Sequence, residues 1–117
     1  MIEASVRNVY GDPSRVTPEL VDRYQDLTLR EGNRRALVQR FEQSDWGVHS
    51  ARIATLTLPT LVLWGGRDRL IPPEHAQRFV HDIAGSRLIV FDELGHVPQE
   101  EDPARTVIPV RAFLGLP

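Results

Sequence analysis

Two short apolar runs, each followed by a turn that contains glycine, constrain the fold of this chain more than any other feature. The first run is residues 60–64 (TLVLW), and the turn after it is residues 65–68 (GGRD). The second run is residues 88–91 (LIVF), and residues 94–96 (LGH) follow it. Continuous apolar strands are typical of a parallel sheet whose two faces are covered. We therefore expect two parallel strands at these positions.

The residues between the two runs have the pattern of a helix. Pro72-Pro73 suits a helix start and Gly85 a helix end. Apolar residues recur between them at helical spacing: Ala76, Phe79, Val80 and Ile83. A helix here supplies the right-handed crossover that joins parallel strands. A last helix is expected after Asp102-Pro103, with Pro109 kinking or breaking it. Residues 53–117 are thus predicted to form a βαβα unit.

Residues 1–52 are predicted to form a helical segment that joins this unit in one compact body. Thr17-Pro18 provides an N-cap followed by proline at the first helical position. Gly32 suits the end of that helix, and Asn33 is expected to cap a second one. The apolar side of the second helix is formed by Leu37, Val38 and Phe41.

Asp68 and His96 are the candidate functional residues. Asp68 lies four residues past the first run and His96 five past the second. Neighbouring strands are about 4.8 Å apart and parallel strands end at one edge, so the two side chains are expected within hydrogen-bonding reach. The carboxylate would fix one imidazole tautomer, and the other ring nitrogen could then take a proton from a hydroxyl or a water. Arg67 and Arg69 flank Asp68 and either lower its pKa or face water.

Composition narrows the chemistry and the partners. The chain lacks cysteine and lysine, which excludes disulfides, thiol nucleophiles and Schiff bases. Its net charge is -2 with both signs interspersed, so no nucleic-acid partner is expected. No apolar run approaches a membrane span and no leader pattern is present, so a cytoplasmic protein is expected. His75 and His81 do not share a helix face, and neither a metal site nor a cofactor is predicted.

The sequence resembles the C-terminal part of an α/β-hydrolase. The branch in question includes carbon–carbon bond hydrolases, epoxide hydrolases, haloalkane dehalogenases and small esterases. Four stretches carry the resemblance: residues 58–68, 71–72, 94–96 and 101–103. Residues 10–41 resemble the later part of the cap that such enzymes insert over the active site. The resemblance implies half of an α/β-hydrolase fold preceded by a cap-like segment, with Asp68 as the triad acid and His96 as the general base.

One departure from the family is plain. The nucleophile elbow, G-x-S-x-G, precedes the cap in these enzymes, and no such pattern occurs in this sequence. The oxyanion loop of the first strands is missing as well. The chain therefore resembles the back half of a hydrolase, truncated or naturally halved. None of its serines lies on a recognisable elbow, although a site shared between subunits could recruit Ser44 or Ser50.

Two strands are too few for an independent sheet, so we expect self-association, as a dimer or a larger homo-oligomer, to complete it. The leading hypothesis is a weak hydrolase of small activated esters, in which the Asp68–His96 dyad activates a water. The first alternative is a non-catalytic half whose nucleophile comes from a partner chain carrying G-x-S-x-G. The second is an oligomerising remnant without chemistry.

Overall fold

The computed structural model describes residues 1–44 and 47–117. Its main elements follow in chain order: α1 (Ile2–Val9), α2 (Pro18–Leu29), α3 (Asn33–Glu42), β1 (Leu61–Gly65), α4 (Glu74–Asp82), β2 (Arg87–Phe91), α5 (Pro98–Glu101) and α6 (Pro103–Phe113). Short 3-10 turns occupy Pro13–Arg15 and Ser50–Thr55. Within the described residues, no helix is both long and apolar enough to cross a membrane.

The two strands form a parallel pair, as the apolar runs predict. Their register places Leu61 opposite Arg87 and Gly65 opposite Phe91. Helix α4 connects the strands and packs against both of them. The parallel pair, the helix that joins it and the helix that follows it form the βαβα arrangement that the sequence predicts. The sheet is open, and only Gly65 and Phe91 among its residues are fully buried.

The buried side chains form two groups. One lies where α1 meets the following segment and contains Val6, Tyr10 and Val16. The other lies around the sheet and includes Ala76, Ile83, Phe91 and Leu94. Leu94, at 1% exposure, precedes the turn that carries His96. The second group therefore anchors the ends of the strands from which the candidate functional residues emerge.

Helices α2 and α3 are much more exposed than the sheet. Thr17 caps α2, because its side chain accepts a hydrogen bond from the amide of Leu20 at 3.2 Å. The predicted apolar side of α3 faces outward: Leu37 is 55%, Val38 56% and Phe41 60% exposed. Apolar side chains on a helix lower the free energy only when they are covered. The intrachain packing of α3 thus leaves its apolar face largely uncovered.

One local prediction, the Asn33 cap, is wrong, and of the two effects expected at Pro109 a break does not occur. Asn33 is the first residue of α3 rather than its cap; Gly32 takes the cap position with φ 85°, and the Asn33 side chain donates to the carbonyl of Leu27. The left-handed conformation reverses the chain here, and glycine adopts it without steric cost. Pro109 does not break α6, which continues to Phe113. Proline has no amide hydrogen and therefore removes one backbone hydrogen bond, but the helix continues because its other hydrogen bonds remain.

Candidate active site

The turns that follow the two strands are hydrogen-bonded to each other. The amide of Gly66 donates to the carbonyl of Phe91 at 2.8 Å, and the amide of Arg67 donates to that of Leu94 at 2.9 Å. Both bonds extend the pairing of β1 and β2 beyond the last strand residues. The two turns consequently leave the sheet side by side.

Gly65 makes this close approach possible. A Cβ atom at position 65 would lie 2.6 Å from the carbonyl carbon of Gly95, inside van der Waals contact. A Cβ atom on Gly66 would lie 2.7 Å from the Cα of Asp92. The glycines of the first turn therefore serve to bring one backbone against another.

Asp68 and His96 meet at this edge. Their closest atoms, Oδ2 of Asp68 and Nδ1 of His96, are 2.8 Å apart, although the residues are separated by 28 positions in the chain. A carboxylate oxygen only accepts hydrogen bonds, so the hydrogen belongs to Nδ1. In the neutral ring Nε2 is then the basic nitrogen. The Asp68 side chain is 4% exposed and that of His96 is 33% exposed, so the acid is buried and the base reaches solvent.

The carboxylate of Asp68 is well supplied with donors. Its Oδ1 accepts from the amides of Leu70 and Ile71, each at 2.9 Å. Burial raises the pKa of Asp68, but the hydrogen bonds from Ile71, His96 and Leu70 outweigh burial and hold the pKa below its usual 3.8. Asp68 is therefore ionised at neutral pH and can stabilise a positively charged imidazole.

A small recess lies directly beside the pair. Its volume is about 120 Å³, and it is lined by Leu63, Trp64, Gly65, Asp68, Ile71, His96 and Pro98. Most of these residues are apolar, so His96 and Asp68 provide the polar groups of an otherwise hydrophobic pocket. Trp64 is fixed in the wall by a hydrogen bond from its indole nitrogen to the carbonyl of Ile71, at 3.2 Å.

The two arginines that flank Asp68 differ in their contacts. The guanidinium of Arg69 donates to the carbonyl of Tyr10 at 2.9 Å, and Arg67 is exposed. The hydrogen bonds on Asp68, rather than an arginine, are the main cause of its lowered pKa. Arg69 instead joins the turn after β1 to the chain segment after α1.

No hydroxyl nucleophile is brought to His96 within the described residues. Ser50 donates to the carbonyl of Gly47, and Ser44 is bonded to Arg40. His75 lies with Ser50 at a different cleft, next to α4. Across residues 1–44 and 47–117, no group of three metal-ligating side chains comes together.

Glu101 is a buried residue to which the sequence assigned no role, beyond its place in the stretch 101–103 that carries the family resemblance. The structure buries this side chain to 7% exposure, and its carboxylate binds the amide of Gly95. Burial of a glutamate could not be read from the local pattern. The one available signal was its place in this chain, five residues after His96 and directly before Asp102-Pro103.

These features define a partial α/β-hydrolase with an acid–imidazole pair at the carboxyl edge of its sheet. The model of the alpha/beta hydrolase family matches residues 3–109, and the chain belongs to that family.

Several characterised and uncharacterised hydrolases are similar to this chain in sequence. The chain is 31% identical to a 2-hydroxy-6-oxononadienedioate/2-hydroxy-6-oxononatrienedioate hydrolase of Pseudomonas sp, over 76% of this chain and 32% of that protein. It is 41% identical to a 2-hydroxy-6-oxo-6-phenylhexa-2,4-dienoate hydrolase of Comamonas testosteroni, over 54% of this chain and 22% of that protein. It is 27% identical to an uncharacterized hydrolase of Bacillus subtilis, over 82% of this chain and 35% of that protein. The chain thus spans about a third or less of the length of these relatives.

A solved structure shares the fold. An esterase from Exiguobacterium antarcticum superposes with a TM-score of 0.79 at 21% sequence identity. The superposition covers 97% of this chain and 41% of the esterase. Nearly all of the chain therefore has the fold of part of that larger protein.

Proposed function

We propose that this chain carries the acid and the base of an ester-hydrolysing site, in which Asp68 orients His96 and His96 is the general base. One observation carries the proposal: the 2.8 Å hydrogen bond from Nδ1 of His96 to the buried carboxylate of Asp68. The bond leaves Nε2 unprotonated in the neutral ring, next to a recess that a substrate can enter. The hydrolase names of two relatives support hydrolysis as the general class of reaction.

In the proposed reaction a water adds to the carbonyl carbon of the ester, and the alcohol leaves. Nε2 of His96 removes a proton from a water, and the water oxygen bonds to the ester carbonyl carbon. The carbonyl oxygen takes up the negative charge of the tetrahedral intermediate. When the intermediate collapses, the bond to the leaving alcohol breaks, and the imidazolium returns its proton to that oxygen. Asp68 stays ionised throughout and stabilises the imidazolium.

The recess supports small substrates. Its volume of about 120 Å³ and its apolar walls suit a short acyl group rather than a long chain or a charged one. The reaction is expected to be slow, because a missing oxyanion donor alone costs on the order of 10²–10³ in kcat. Activated esters such as p-nitrophenyl acetate are therefore the substrates of choice.

We further propose that the site works in a homo-oligomer. The open two-stranded sheet and the uncovered apolar face of α3 support this, since both would be stabilised by burial against another chain. Light scattering tests the assembly directly. A solution mass of twice the chain or more supports it, and a well-behaved monomer of 13.3 kDa overturns it.

The activity is tested by p-nitrophenyl acetate hydrolysis in wild type and in His96→Ala. We expect the variant to lose the enzymatic rate. His81→Ala is the matched control, because His81 also contacts an aspartate at 2.8 Å but its side chain is 88% exposed. Equal rates in wild type and His96→Ala would exclude His96 as the base.

A second candidate function is supported by the lack of G-x-S-x-G in the sequence. In this case the chain is the non-catalytic half of a split hydrolase, and a partner chain supplies the nucleophilic serine to Nε2 of His96. A fluorophosphonate probe separates the two candidates. Labelling of a co-purifying chain supports the split enzyme, whereas turnover by the purified chain without any labelling supports activation of water.

A further inference from the structure

We infer that Glu101 is a positioning residue for His96, because its buried carboxylate ties the backbone next to the imidazole to the segment after α1. The inference rests on the proposed role of His96 as general base. It assigns to Glu101 a task in the site that is distinct from capping a helix. The segment concerned is residues 9–12, hereafter the anchor segment.

The carboxylate of Glu101 accepts three backbone hydrogen bonds. Its Oε2 accepts from the amide of Gly95 at 2.7 Å and from that of Gly11 at 2.9 Å. Its Oε1 accepts from the amide of Asp12 at 2.8 Å. A carboxylate that is 7% exposed is unfavourable unless it is bonded, and here three N–H donors compensate for the lost water. The arrangement therefore depends on a group with two acceptor oxygens.

The bond to Gly95 bears directly on His96. Gly95 immediately precedes His96, and the amide of His96 itself donates to the carbonyl of Val9 at 2.7 Å. Two consecutive amides before the imidazole are thus bound, one through Glu101 and one directly, to the anchor segment. Rotation of either peptide plane would swing the imidazole away from Asp68.

The backbones in this contact lie too close together to admit a side chain at Gly11. A Cβ atom built on Gly11 would lie 2.7 Å from the amide nitrogen of Gly95. The anchor segment also receives the guanidinium of Arg69, which follows Asp68 and donates to the carbonyl of Tyr10 at 2.9 Å. The same few residues therefore hold the turn of the acid and the turn of the base, and Glu101 closes this connection on the His96 side.

The variants are chosen to change the three hydrogen bonds that the Glu101 carboxylate accepts. In Glu101→Gln one oxygen remains to accept hydrogen bonds, and the new NH2 group faces an N–H donor of the backbone. Glu101→Asp keeps both oxygens but draws them back by one methylene. Glu100→Gln is the matched control: Glu100 is adjacent in α5 and accepts from the side-chain hydroxyls of Tyr10 and Tyr24, but from no backbone amide of the anchor segment or of Gly95, and glutamine keeps an oxygen that accepts from a hydroxyl.

The test uses the full chain and two readouts. The first is the proton resonance of His96 Nδ1–H in ¹H NMR, assigned by its loss in His96→Ala. The second is kcat and KM on p-nitrophenyl acetate. We expect Glu101→Gln to shift or broaden the resonance and to lower kcat on the order of 10- to 100-fold at nearly unchanged KM. Glu101→Asp should fall between wild type and Glu101→Gln, and Glu100→Gln should match wild type.

A folded Glu101→Gln variant with a wild-type resonance would overturn the inference, even if its melting temperature falls, because Glu101 would then serve stability alone. If Glu101→Gln does not fold, the resonance in Glu101→Asp decides in the same way. The NMR readout needs no turnover. An inactive wild type would therefore remove the proposed function while leaving the role of Glu101 open to support or refutation.

Discussion

Asp68 and His96 are joined at 2.8 Å by two turns whose backbones continue the pairing of the parallel strands. The sheet thus brings together an acid and a base that are 28 residues apart in the chain. The acid is the more buried partner, and backbone amides hold it in place. This asymmetry leads to testable consequences.

Replacing Asp68 by asparagine should reduce both stability and activity. The new NH2 group faces Nδ1 of His96 and favours the wrong tautomer, so Nε2 would no longer be the basic nitrogen. Loss of a buried bond to a charged group should cost about 1.5–3 kcal/mol in the free energy of unfolding, measured by urea denaturation. Asp82→Asn is the control, because the His81–Asp82 pair has the same 2.8 Å separation at the surface. A loss of stability as large in Asp82→Asn would contradict the importance of burial.

Lowering the pH should remove the contribution of Asp68 to the free energy of unfolding. Its pKa is lowered in the folded protein, so its stabilisation is fully present above the ordinary value of 3.8 and is lost as pH falls through the lower folded value. We expect the difference in unfolding free energy between wild type and Asp68→Asn to shrink as the pH falls below 3.8. A difference that does not change in acid would show that the pKa of Asp68 is the same in the folded and the unfolded protein.

Gly65 and Gly85 should respond differently to alanine. A methyl group at position 65 collides with the turn that carries His96, so we expect a loss of about 1–3 kcal/mol together with loss of activity. Gly85 has φ 76° and open space around its Cα, so Gly85→Ala should cost about 1–2 kcal/mol from backbone strain alone. Activity should survive in the second variant. Equal loss of activity in both would mean that the collision at Gly65 does not reach the site.

Tyr24 should ionise unusually late. Burial and the 2.8 Å hydrogen bond to Glu100 raise the pKa of Tyr24 to about 12. Because the pKa of Tyr24 is higher in the folded than in the unfolded protein, the protonated hydroxyl stabilises the folded state, fully so below pH 10.0. That stabilisation is lost as the pH rises through about 12. Titration of tyrosinate absorbance should show this late step, and Tyr24→Phe should abolish it. The step should move to lower pH in Glu100→Gln; an unmoved step would contradict the contribution of that carboxylate.

Much of the fold could be predicted from the sequence. The continuous apolar runs, the amphipathic stretch between them and the glycines after each run predicted a parallel pair with a crossover helix, and they located the edge where Asp68 and His96 emerge. These are local properties, because side-chain periodicity and backbone freedom act over a few residues. The family resemblance, which is confirmed, came from the same stretches.

Only the tertiary structure showed which long-range contacts hold the turns that carry Asp68 and His96. Glu101 binds Gly11 across 90 positions of the chain, and no local pattern distinguishes such a carboxylate from one that merely begins a helix. The exposure of the apolar side of α3 could not be predicted from the sequence either. The sequence shows that this helix has an apolar side, but it does not show whether another element covers that side. Local propensity determined where the elements lie. Burial and long-range hydrogen bonds, which depend on how those elements meet, decided which polar side chains hold the acid and the base in place.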